Sequence, residues 1–118
     1  MGEIDNFYDP DIKCRFAKND QTNFGIDLIA TDIGRTRDHA MAGYVELQRF
    51  FNRTVPTTWN EMVGALSQSV VDKLQQLYVD VNSVESYVAG NLENHLPDSL
   101  MGPTYAAIVI KQFKNARA

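Results

Sequence analysis

One cysteine among 118 residues leaves no internal disulfide to form, so a stable core must come from packing alone. Two histidines and that one thiol are also thin material for a transition-metal site. Long apolar runs are missing. The longest near the C-terminus, residues 105–110, is far short of the roughly 20 residues that span a bilayer. Excess positive charge is missing too: the net charge is −4 and the isoelectric point near 5.0. That balance excludes nucleic acid and anionic membrane as partners, because little here would displace counterions from phosphates. The opening Met-Gly-Glu-Ile-Asp has neither the basic start nor the apolar stretch of a secretory leader. Gly2 invites an N-myristoyl reading, but Asn6 stands where Ser or Thr is wanted.

What is present fits one domain of ordinary composition, 44% hydrophobic and 22% charged, with length for a modest core. Cys14, between Lys13 and Arg15, is expected to be a buried small apolar side chain rather than a nucleophile. The patterning is all-α. Asp9 and Pro10 supply an N-cap and a first helical residue, opening a helix through Ile12, Arg15 and Phe16. The apolar residues of 25–33 read as a buried extended or irregular piece, and 41–50 as a helix with Tyr44, Leu47 and Phe51 on one side. Thr58 and Glu61 form a capping-box pattern for a helix over 59–66. Ser69 and Asp72 repeat that signature before a stripe of Val70, Val71, Leu74, Leu77 and Tyr78. Ser83 is expected to open a further helix, with Val84, Tyr87, Val88 and Leu92 on one face. Gly102-Pro103 starts a last one, 104–116, ending in cations that suit its dipole.

The densest polar cluster follows the apolar piece. Residues 33–40 read Ile-Gly-Arg-Thr-Arg-Asp-His-Ala, with two arginines, an aspartate and a histidine inside positions 35–39. Such a group is either solvated or neutralises itself and something else. Asp32, just ahead of it, can cap a loop or pair with Arg35 or Arg37. His95 reads as a loop residue, and Asn52-Arg53-Thr54 is an N-glycosylation sequon ahead of Pro56.

The Arg35-Thr36-Arg37-Asp38-His39 segment resembles the R-x-R-D-H signature of the animal haem peroxidases. Four further stretches resemble that family in the same order. Residues 23–28 (NFGIDL) are similar to its G-x-D-L approach, and 70–78 (VVDKLQQLY) to a helix ending L-x-x-L-Y. Residues 81–93 (VNSVESYVAGNLE) are similar to D-D-I-D-x-x-V-G-G-L-x-E, and 100–113 (LMGPTYAAIVIKQF) to L-V-G-P-T-F-A-C-I-I-x-x-Q-F.

The resemblance implies a portion of a mainly helical peroxidase fold, from its C-terminal half, with residues 1–118 a partial domain truncated at both ends. The parent would oxidise small electron donors with hydrogen peroxide at a haem iron. Asp32, where asparagine is common, would accept a hydrogen bond from the proximal histidine, and Arg35 would pair with a haem propionate. Arg37 and Asp38 would be structural, an internal ion pair, and His39 a packed, hydrogen-bonded side chain rather than a ligand. No catalytic residue and no metal ligand is assigned. The proximal and distal histidines and the parent's calcium loop would lie outside this sequence.

Departures are also informative. Phe51 and Ala107 stand where a family disulfide would be. Gly34 replaces a common glutamine and Ala40 a glycine, a strained exchange if position 40 needs a positive φ. On this reading the parent is secreted, although this chain carries no signal peptide, and the portion is inactive alone, marginally stable and prone to self-associate through exposed apolar faces. The alternative is a non-enzymatic helical binding or scaffold protein derived from a peroxidase.

Overall fold

The computed structural model describes residues 8–19, 21 and 23–117; the Gly2 and Asn6 reading lies outside them. The chain divides into two compact units, Met1–Met41 and Ala42–Ala118. Every regular element among the described residues is helical, and β pairing is limited to isolated bridges, as the sequence predicts.

In the first unit, α1 (Pro10–Cys14) begins as expected. The Asp9 carboxylate accepts from the Asp11 N–H at 2.8 Å, and Pro10 takes a first-turn position where no N–H is needed. Phe16 then bridges Ile26, and the Gly25 N–H donates to the Cys14 carbonyl at 3.1 Å. A Cβ on Gly25 would lie 2.4 Å from the Arg15 backbone, so the crossing needs glycine.

The extended reading of 25–33 holds only to Asp27. From there the chain is helical, α2 (Leu28–Asp38). Asp27 is the reason: its side chain caps the Ala30 N–H at 3.0 Å, and its carbonyl accepts from the Thr31 hydroxyl at 2.8 Å. The short run Ile26-Asp27-Leu28-Ile29 does not distinguish strand from helix by periodicity, and the cap decides it. No described residue of this unit is buried, and the expected burial of Cys14 is corrected, since its side chain is exposed.

α2 ends in a Schellman turn. The Met41 N–H donates to the Thr36 carbonyl at 2.9 Å and the Ala40 N–H to that of Arg37 at 3.1 Å. Ala40 occupies the left-handed position at φ 48°, where glycine is unstrained. The helix expected from Met41 therefore starts later, at Tyr44.

The second unit holds the whole described core: Tyr44, Val45, Met62, Leu66, Val71, Leu74, Val81, Val84 and Ala89. α3 (Tyr44–Phe50) packs on α6 (Ser86–Leu92) and on a 3-10 turn, Val81–Ser83. The Tyr44 N–H reaches the Val84 carbonyl at 2.9 Å. Asp80 holds the 3-10 turn through the Asn82 and Ser83 N–H groups, so the helix expected from Ser83 begins only at Ser86. α4 (Trp59–Met62) is shorter than the expected 59–66. Its Glu61 carboxylate accepts from both the N–H and the hydroxyl of Thr57, and these bonds, with a smaller contribution from the Thr58 backbone, lower the Glu61 pKa. α5 (Gln68–Leu77) starts after Ser67 and buries Val71 and Leu74, with Val70 and Tyr78 against the core, while Leu77 faces outward at 77% exposure. α7 (Pro103–Ala116) matches its expected span and its basic end.

Two substitutions test the α2 account. Gly34 is mid-helix with open space where a Cβ would stand, and Ala40 carries a left-handed strain. Gly34→Ala and Ala40→Gly are each expected to stabilise α2 by about 0.5–1 kcal/mol, read as slower amide exchange along the helix. Faster exchange in either variant would contradict the assignment of the two conformations.

Candidate functional site

α2 carries the polar signature on a helix rather than in a loop. Positions 32, 35 and 39 follow i, i+3, i+7 spacing, which brings Asp32, Arg35 and His39 to one side of it. Asp32 is half-buried and Arg35 exposed. Arg35 forms no ion pair among the described residues, so its fork of donors faces water. Both arginines sit in the last turn, where cations complement the helix dipole.

Arg37 and Asp38 are exposed on the last turn of α2. His39 is exposed at the helix end instead of packed; its backbone N–H donates to the Arg35 carbonyl at 3.0 Å. His95 is exposed in a loop, as read. No group of three or more His, Cys, Asp or Glu among the described residues is placed to hold a metal.

A second polar constellation is buried in the other unit. Glu93, just past α6 and 3% exposed, receives four donors. Its Oε1 accepts from the Tyr44 hydroxyl at 2.7 Å, the Thr104 hydroxyl at 2.6 Å and the Gln48 amide at 3.3 Å. Its Oε2 accepts from the Thr104 backbone N–H at 2.8 Å, and the Gln48 amide also donates to the Thr104 hydroxyl at 2.6 Å. Glu93 thus caps α7, whose own N-cap residue, Gly102, has no side chain to offer. A Cβ on Gly102 would lie 2.4 Å from the Glu93 Cβ, so glycine is what admits the carboxylate. Pro103 adds a first helical residue that needs no hydrogen-bond acceptor for an N–H.

Burial, then the hydrogen bond to Glu93 and its negative charge, push the Tyr44 hydroxyl pKa well above its ordinary value near 10. A cavity of about 230 Å³ lies against this group, lined also by Arg53, Thr54, Glu61 and Met62. Every buried polar side-chain atom among the described residues already has a partner, so the arrangement orients and holds. It offers no unsatisfied group to a substrate.

Sequence reasoning did not assemble this constellation, although Tyr44, Glu93 and Thr104 all stood in stretches it had singled out. The available signal was polar residues inside otherwise core-facing runs: Gln48 one turn beyond Tyr44, and Glu93 closing a helix opposite Gly-Pro-Thr. Nothing in the linear order said that positions 44, 48, 93 and 104 meet.

Glu93→Gln is expected to destabilise this unit by roughly 2 kcal/mol or more, because a carboxamide presents one acceptor oxygen to four donors. Tyr44→Phe should cost less, about 1–2 kcal/mol, since only one donor is lost. The pH dependence has a definite sign. A tyrosine whose folded pKa is raised contributes stability that is intact below about pH 10 and lost as pH rises toward the folded value. Urea unfolding of wild type should therefore weaken above pH 10 more steeply than that of Tyr44→Phe, and equal slopes would refute the buried hydroxyl.

The animal haem peroxidase family model matches residues 1–118. The chain is 41% identical over 93 residues to the peroxidasin homolog pxn-2 of Caenorhabditis elegans, a match covering 78% of this chain and 7% of that protein. It is 34% identical over 94 residues to a peroxidase of Drosophila melanogaster, covering 80% of this chain and 14% of the relative. Among solved structures, peroxidase A from Dictyostelium discoideum superimposes with a TM-score of 0.67 at 30% identity, over 75% of this chain and 17% of that one. The chain therefore spans less than a fifth of the length of these relatives. With the ordered motifs, the helical fold and the full-length family match agreeing, the chain belongs to the animal haem peroxidase family.

Proposed function

We propose that this chain is a portion of a haem peroxidase in which α2 forms part of the haem-binding wall. The observation that carries the reading is the shared face of α2, where a half-buried aspartate and an exposed arginine with no ion pair among the described residues stand one turn apart. That donor set fits the group. A planar guanidinium binds a propionate bidentately and stays charged at any working pH. The Asp32 carboxylate is of the type that accepts from a ligand imidazole N–H and makes that ligand more electron-donating. When bound, haem supplies the redox chemistry by which peroxide oxidises small donors.

The chain's own part is orientation. Arg35 fixes a propionate edge, and Asp32 holds the proton of an imidazole that belongs to another segment. Cleaving peroxide needs a base to shift a proton between the oxygens and a cation to stabilise separating charge. Both histidines here, His39 and His95, are exposed and far apart in sequence, so this portion alone is proposed to be inactive. The parent is proposed to be secreted. No helix among the described residues is long and apolar enough to cross a membrane.

A second reading, a helical binding protein of peroxidase descent, is favoured by one feature. The distal half of α7 exposes Val109, Ile110 and Phe113 beside Lys114 and Arg117. Such an apolar face invites self-association or a partner.

Haem titration of the purified chain, followed in the Soret region, separates the two. Saturable binding is expected, weakened about tenfold or more by Arg35→Ala, as loss of a charged hydrogen bond predicts. Asp32→Ala should bind nearly as wild type, because its imidazole partner is elsewhere. Absence of saturable binding in all three would leave the peroxidase wall unsupported and favour the binding protein.

A further inference from the structure

We propose that Asn52 is an N-linked glycan acceptor on the solvent face of the second unit. Asn52-Arg53-Thr54 is the only Asn-X-Ser/Thr triplet in the chain, with Val55 rather than proline following it. The structure adds what a triplet alone does not supply. α3 ends at Phe50, and the next residues close a Schellman turn: the Arg53 N–H donates to the Gln48 carbonyl at 2.9 Å and the Asn52 N–H to that of Arg49 at 3.1 Å. Asn52 takes the left-handed position of that turn at φ 52°, which places it at the outer bend. Its side chain is exposed, and its carboxamide makes no hydrogen bond among the described residues, so a substituent on Nδ2 breaks nothing.

The left-handed backbone explains an asparagine by itself, since Asn tolerates that region better than most residues. It does not explain Thr54. That residue lies past the turn in a non-helical stretch, with its side chain exposed and its hydroxyl unbonded among the described residues. A hydroxyl two residues after the acceptor is the element that recognition of a sequon requires. Phe51, between the helix and the acceptor, packs edge-on to Phe50 with ring centres 5.0 Å apart.

The donor would be a lipid-diphosphate-linked oligosaccharide in the secretory pathway. A bond forms between Asn52 Nδ2 and the anomeric carbon as the anomeric carbon–oxygen bond to the diphosphate breaks. Nδ2 gives up one proton, and the lipid diphosphate leaves. No electron is transferred. The proposal does not rest on haem binding, and a glycan there would mark the turn after α3 as a surface that stays open to solvent in the parent protein.

The test is translation of the full chain, behind a cleavable leader and ahead of a tag bearing one control sequon, in the presence of microsomes. Only membrane-protected chains are read. Wild type and Thr54→Ser are expected to gain two glycan increments, both removed by peptide N-glycosidase with conversion of Asn52 to aspartate. Thr54→Ala and Asn52→Gly should gain only the tag's increment; the glycine variant keeps the left-handed turn, so its loss reads the acceptor and not the fold. A single increment on wild type, or two on Thr54→Ala, overturns the proposal.

Discussion

A buried carboxylate holds the second unit in register. Glu93 joins α3, through Tyr44 and Gln48, to the start of α7, through Thr104, and it does so from the end of α6. A carboxyl group this far from water is costly unless its lone pairs are used, and four donors in a fixed fan meet that demand. Much local sequence follows from that requirement. Gly102 is small because Glu93 must approach, Pro103 begins a helix without an N–H to satisfy, and Gly90 is small because the Tyr105 ring lies across α6, where a Cβ would sit 2.5 Å away. Apolar packing of Val71, Leu74, Val81 and Val84 supplies the bulk of the burial, while the carboxylate selects which arrangement of those helices is allowed.

The two units divide the work differently. The residues proposed to meet haem are on α2, in the unit with no buried described residue, and are displayed by helical spacing alone. Their placement depends on two ends: the Asp27 cap, and the turn closed by Ala40 and Met41. Backbone hydrogen bonds fix those ends, and contact with α1 gives only partial burial between them. In the second unit the reverse holds, with polar groups fixed by what is packed around them.

How much of this was legible follows from the range of each signal. Asp9-Pro10 and Gly102-Pro103 were readable because a cap acts within its own turn. The apolar residues of 26–29 suit either a strand or a helix by spacing, and only the Asp27 cap decides between them. Leu77 fitted the α5 stripe by spacing yet faces solvent, since the helix stops there and Tyr78 turns into extended backbone. Ala40 was legible as a conditional strain, and its φ of 48° satisfies the condition. The meeting of Tyr44, Gln48, Glu93 and Thr104 joins positions up to 60 apart in sequence, and only the fold brings them together.

The same fan of donors also constrains how the sequence can drift. Three side chains and one backbone N–H converge on Glu93, so replacing any one leaves the others facing a lost or mismatched partner. An all-apolar version of this junction could be as stable, but it lies several coordinated substitutions away, and each intermediate would carry an orphaned polar group. The junction is thus isolated in sequence space: a local optimum kept by the cost of its neighbours, whatever the rest of the chain is doing.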